Sequence, residues 1–298
     1  MFFFRLNRRL KSLLPLVLLV FAPFTVAAAD STKLARLADD YFELRLKLFS
    51  LSATEEIGDP RFEGELAIEI APEHRARQAD EFKAILKQLK SIPVNTLSPA
   101  DRLTYDVLKY DVSARLEALN YPRHLLPIHH MESVPVKLAG WAGGQSVQPF
   151  RTVQNYENFL KRIERLPQWS TQAIANMREG IRLGIVQPKS IVERTLPQLQ
   201  SLAEGKLEDS PFYSPIKRLP DNFSAADKAR LTTAYREALA ERIIPAQALL
   251  LAFVRDDYLP KSRASAGIGA LPGGPAWYRF TVRDSTTTTL TPEQIHAT

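Results

Sequence analysis

Residues 156–184, YENFLKRIERLPQWSTQAIANMREGIRLG, decide the fold class. Tyr156, Phe159, Ile163 and Leu166 recur at spacings of three and four, and Trp169, Ala173, Met177 and Ile181 continue at four. Such spacing lays one apolar stripe along each of two consecutive helices. Gly184 is placed to end the second, because glycine enters the left-handed conformation that closes a helix without a Cβ clash.

The same period extends in both directions. Leu34, Leu37, Tyr41, Leu44 and Leu48 form a core-facing stripe over residues 32–50. Residues 51–72 carry Gly58-Asp59-Pro60 and Gly64 and then a short apolar run, a loop-rich connection to a helix from about Pro72 to Lys90. Ser98-Pro99-Ala100-Asp101 combines a hydroxyl cap, proline at the first helical position and an acid at the third. Leu103, Val107, Tyr110 and Ala114 then line the expected face of that helix. Residues 121–149 hold four prolines and three glycines and read as a long irregular connection. A helix from about Pro188 should bend or break at Pro197, and the long stretch capped by Ser224 should kink at Pro245. Trp277 to Val282, aromatic and β-branched in short alternation, reads as a strand. The expectation is an all-α, mostly helical protein: a multi-helix array of paired antiparallel helices with a short β element near the C-terminus.

The first 29 residues read as a signal peptide. Arg5, Arg8, Arg9 and Lys11 form a basic region, Leu13 to Val26 is apolar and uncharged, and Ala27-Ala28-Ala29 fits a small-residue cleavage site. Pro15 and Pro23 interrupt a stretch already at the short limit for spanning a membrane. Cleavage near Ala29 would leave residues 30–298 without a stable membrane anchor, periplasmic or secreted. Those first residues hold four basic and no acidic side chains, so the formal charge of +6, 39 minus 33, falls to +2, 35 minus 33. A charge that small, with Lys and Arg interleaved among Asp and Glu, argues against nucleic acid as a partner. The chain has no cysteine, which excludes disulfides, thiolate metal ligands and a lipid-bearing cysteine together.

Little in the residues points to chemistry. The five histidines are His74, His124, His129, His130 and His296, and none sits in an H-E-x-x-H spacing. No nucleophile elbow is present, since Gly143-Gly144-Gln145-Ser146 lacks the spacing. No catalytic residue and no metal ligand is assigned to this chain. Gly273 and Gly274 form either a tight turn into the expected strand or a turn whose amides face a ligand. Thr286 to Thr289 are either an extended linker whose hydroxyls bond local backbone or, with Trp277 and Tyr278, the lining of a groove. Thr291-Pro292-Glu293-Gln294 carries strong helix-start chemistry, yet only Ile295, His296, Ala297 and Thr298 follow. Either that helix frays, or its remainder belongs to a longer protein.

Several blocks resemble the bacterial proteins called domain of unknown function 885. They are Met177-Arg178-Glu179-Gly180-Ile181-Arg182-Leu183-Gly184 with Gln187-Pro188, Leu271-Pro272-Gly273-Gly274 with Tyr278, the threonine run, and Thr291-Pro292-Glu293-Gln294-Ile295-His296. The stretches Leu97–Leu103 and Asn155–Leu160 are similar as well. The resemblance implies a helical, exported protein related to zinc peptidases, whose presumed zinc helix lies downstream of the block that ends here at His296. No family metal ligand can be carried over. Zinc is therefore expected only in a full-length parent, and this chain is expected to be its substrate-side, N-terminal portion, inactive alone. Gly273, Gly274, Trp277, Tyr278 and His296 are the candidate substrate contacts, with a peptide as the expected partner. The alternatives are a stand-alone periplasmic module for peptide binding or assembly, and a nonfunctional truncated gene product.

Overall fold

A computed structural model describes residues 22–144 and 147–297, with side chains described from Ala29 onward. Most of the expected signal peptide lies outside the described residues. Its last part belongs to α1 (Ala22–Leu48), which runs unbroken past Ala29.

Helices form where the apolar period places them. In α1, Leu34, Leu37, Tyr41 and Leu48 are buried. A short α2 (Ser50–Ser52) leads into a π-turn at Ala53–Ile57. The helix α3 (Pro72–Lys90) has proline in its first turn, and α4 (Pro99–Ala118) is capped by the Ser98 hydroxyl, which accepts the Asp101 N–H. Together α1, α3 and α4 enclose one apolar core around Leu34, Phe82, Leu89 and Val112.

Two expectations in this region are corrected. Leu103, Val107 and Tyr110 do not face the core of α4; they are 66%, 59% and 42% exposed. The buried face carries Tyr105, Leu108 and Val112 instead, also spaced three and four, so α4 is apolar on two sides. Residues 121–149 are not wholly irregular either. They contain α5 (Val134–Ala142), which starts after Ser133 with Pro135 in its first turn and buries Leu138 and Trp141. Gly140 and the surrounding prolines hide that helix from a periodicity reading.

The larger core belongs to α5, α6 (Val153–Ile163), α7 (Leu166–Leu183), α8 (Lys189–Ala203), α9 (Ala225–Ala238) and α10 (Ile244–Ala252). A capping box of Thr152 and Asn155 starts α6, and Gly184, at φ +71°, ends α7. Pro197 sits inside an unbroken α8. Between α9 and α10 the chain widens into a π-turn at Leu239–Ile243, which gives the Pro245 ring room against the carbonyl one turn back.

The C-terminal β element is not found. Residues Trp277–Val282 lie in α11 (Gly274–Thr286), where Gly274, Trp277 and Phe280 are buried at a strict spacing of three, continued by the buried Leu271 just before the helix. Gly273 in the left-handed region and Pro275 in the first turn start a helix there, overriding the β propensity of the aromatics. Among the described residues the β pairing is an isolated bridge between Pro188 and Arg263. The last helix, α12 (Pro292–His296), has the capping box that its sequence announces.

One buried cation joins these parts. Arg162 of α6 is fully buried. Its Nε donates to the Glu65 carbonyl at 2.9 Å, Nη1 to Gln148 Oε1 at 2.8 Å, and Nη2 to Thr54 Oγ1 at 2.7 Å and to the Phe62 carbonyl. The guanidinium also lies 5.2 Å from the centre of the Trp141 ring. Arg162→Met would orphan four acceptors and is expected to cost about 3–5 kcal/mol of stability. Urea denaturation followed by circular dichroism measures it, and Arg162→Lys should rescue little, because a single ammonium cannot span the same fork.

Candidate functional site

The five residues singled out from the sequence divide into two groups. Gly273 and Gly274 build a turn and a close contact. A Cβ on Gly274 would sit 2.1 Å from the Ile268 carbonyl oxygen, and Gly273 has φ +71°. Trp277 is buried and stacks on Tyr121 at 6.2 Å between ring centres, while Phe280 stacks on the same ring at 4.8 Å. These contacts dock α11 on the end of α4. Tyr278 and His296, by contrast, are exposed and meet: the tyrosine hydroxyl lies 3.3 Å from His296 Nε2. The capping box of α12 places that imidazole.

The threonine run closes α11 rather than extending from it. Thr287 takes φ +53°, and the Thr286 hydroxyl donates to the Val282 carbonyl at 2.8 Å. These hydroxyls serve the local backbone.

The remaining histidines are dispersed. His129 and His130 stack at 4.6 Å, and His129 Nδ1 accepts the Met131 N–H at 3.1 Å. His124 is half-buried with Nδ1 unpartnered, and burial, followed by the nearby Arg75, holds its pKa down at about 4. Among the described residues no three His, Asp or Glu side chains converge on a point where a metal could sit. The side chains present do not fit a zinc centre.

Two features were not visible in the sequence. The first is an open groove of about 700 Å³ between the end of α1, the start of α3 and the turn from α6 to α7. Its lining includes Lys47, Arg77, Arg165 and His74 together with Leu66 and Ile68. The second is Glu69, just before α3. The residue is half-buried, and burial pushes its pKa up to about 7 against the opposing pull of Lys137, Arg115 and Arg123. No hydrogen bond reaches it from the described residues. Only the apolar run ending at Pro72 hints at this segment, because groove and cations come from four separate parts of the chain.

Fold and site together define a mostly helical protein with a cationic groove set between two helical cores. The chain belongs to the family of bacterial proteins of unknown function designated DUF885, whose profile matches residues 52–298. It is similar to the crystal structure of a "putative lipoprotein" from Colwellia psychrerythraea, with a TM-score of 0.72 at 17% identity. That match covers 89% of this chain and 48% of the other, so the chain spans about half the length of that structure. No curated protein matches the chain.

Glu69 and His124 have opposed effects on stability. Glu69, raised in the folded state, contributes stability below its unfolded pKa that is lost as pH rises through about 7. His124, depressed in the folded state, contributes stability above its unfolded pKa that is lost as pH falls through about 4. Between roughly pH 4.5 and 6.5 the two slopes offset each other. Glu69→Gln should therefore unmask stability that rises with pH across this range, and His124→Gln stability that falls. Urea midpoints taken from pH 4.5 to 7.5 would show parallel curves if either group titrated normally.

Proposed function

We propose that this chain forms the substrate-side helical wall of an exported, peptidase-like architecture and is catalytically silent by itself. The observation that carries this reading is the match of nearly the whole chain to about half of a larger structure. An exposed apolar stripe fits it. Leu103, Val107 and Tyr110 present uncovered surface on α4, and the Tyr110 hydroxyl reaches the Arg283 carbonyl of α11 at 3.3 Å. Surface of that kind suits packing against a second half.

Within this reading Tyr278 and His296 are the substrate-side contacts, and Gly273, Gly274 and Trp277 hold α11 so that they can act. Zinc, which would activate water and polarise a scissile carbonyl when bound, has no donor set among the described residues. Its ligands belong to the remainder of the architecture. Export rests on the basic and apolar composition of residues 1–26 and the alanines up to Ala29, and is supported by the lipoprotein description of the structural neighbour. No described helix is long and apolar enough to cross a membrane.

A second reading, a stand-alone periplasmic module that binds peptides, is favoured by the cationic groove. One assay tests the catalytic silence of the chain. The purified 298-residue chain, given zinc and a mixture of quenched fluorescent peptides, should show neither turnover nor stoichiometric bound metal. Tight stoichiometric zinc accompanied by turnover would contradict the assignment of catalysis to another half.

A further inference from the structure

We propose that the groove beside Glu65–Ile68 binds an extended peptide carrying acidic side chains, which pairs with the open main chain of that segment while Lys47, Arg77 and Arg165 take its carboxylates. This deepens the peptide-substrate reading by naming a site and a ligand chemistry, and it does not require the second half of the architecture.

The backbone comes first. Residues 65–68 lie outside any helix and alternate in burial: Leu66 and Ile68 are 3% and 5% exposed, whereas Glu65 is exposed and Ala67 half-buried. That is the period of an extended chain. One set of its polar groups is anchored, since Arg162 donates to the Glu65 carbonyl at 2.9 Å and the Ala67 N–H donates to Ser50 Oγ at 2.9 Å. Other groups are left over. The N–H and C=O of Leu66, the C=O of Ala67 and the N–H of Ile68 have no hydrogen bond to any described residue. A fixed segment with unpaired main-chain groups beside a groove is a template for strand addition.

Charge then selects the peptide. Lys47 and Arg165 have no ion-pair partner among the described residues, and Arg77 approaches Glu81 only at 3.9 Å. The other lining charges are largely committed. Arg61 is bound by Glu43 and Asp59, and Glu65 by Lys161 at 2.5 Å, which leaves Glu73 against three cations. Carboxylates entering here would find charge-assisted donors, with the long Arg77–Glu81 contact the one existing pair they would have to loosen.

His74 adds a directional element at the same place. Its ring bonds the Leu48 backbone, so that Nδ1 carries the proton, and Nε2 is buried with no partner. A neutral imidazole in that tautomer carries its lone pair at Nε2, which is covered in the free chain, so a peptide N–H gains it only by displacing that cover. Burial, the largest influence, lowers its pKa and keeps it in the accepting form.

Fluorescence anisotropy with the full chain and a labelled hexapeptide of alternating valine and glutamate tests the proposal. Saturable binding is expected, with affinity about tenfold weaker when glutamine replaces the glutamates. The double substitution Lys47→Gln and Arg165→Gln should cost the acidic peptide about the same factor and leave the glutamine peptide unmoved. N-methylation of alternate peptide nitrogens should abolish binding from one register, because only a main-chain partner is sensitive to it. The proposal is overturned by absent saturation, by equal binding of the glutamine peptide, by N-methylated peptides that bind unchanged in both registers, or by free glutamate competing as well as the hexapeptide. Because anisotropy detects binding without turnover, failure here leaves the catalytic assignment standing. Turnover with bound zinc would overturn that assignment and leave this site intact.

Discussion

A guanidinium without a carboxylate partner, sealed inside the protein, fixes the arrangement of everything around the groove. Arg162 is fully buried, and its partners are carbonyl, amide and hydroxyl oxygens and an indole face. Burial draws its pKa down to about 10, so it stays charged at neutral pH and its field is answered by those dipoles together with the nearby Glu63 and Glu65 carboxylates. The answer comes from the π-turn after α2, the turn at Phe62, Glu65, Gln148 and α5. Segments far apart in sequence therefore close on one point, and the chain between Thr54 and Leu66 has little freedom to lie elsewhere.

Charged neighbours complete the clamp. Glu63, buried near Arg162 though far from it in sequence, accepts from Asn155 Nδ2 at 2.9 Å and from Asn158 Nδ2 at 3.2 Å, both on α6. Gly64 passes so close to α6 that a Cβ there would touch the Asn158 backbone at 3.4 Å. Helix α6 thus holds Phe62, Glu63 and Glu65 through hydrogen bonds, while Leu66 packs in the same apolar core as Tyr156, Phe159 and Ile163. That leaves the opposite side of the stretch free, which is why an unpaired main-chain edge can persist next to a well-packed core.

Much of the fold was legible because helix signals are local. The period of α6 and α7, the left-handed Gly184, the Ser98 and Ser224 caps and the box at Thr291 are each readable within a turn or two of chain. Trp277–Val282 misled because aromatic and β-branched residues favour strands only where a pleated surface receives them. Here Gly273 and Pro275 start a helix and Tyr121 receives the rings. The α4 stripe misled for a different reason: both of its faces have helical spacing, and only tertiary contact shows which one is covered. Of the candidate site, the sequence indicated Tyr278 and His296, which do meet. It gave no sign of Glu69 or the groove, since their character comes from burial and from cations on α1, α3 and the turn before α7.

The segment held by Arg162 is the binding edge on which peptide recognition depends in this proposal. Amide hydrogen exchange, measured with and without the acidic hexapeptide, addresses that most directly. Leu66 and Ile68, whose N–H groups are unpaired in the free chain, should gain protection when the peptide is present, while amides in α11 and α12 keep their rates. Protection that appears around Tyr278 and His296 instead, or nowhere along residues 65–68, would contradict it.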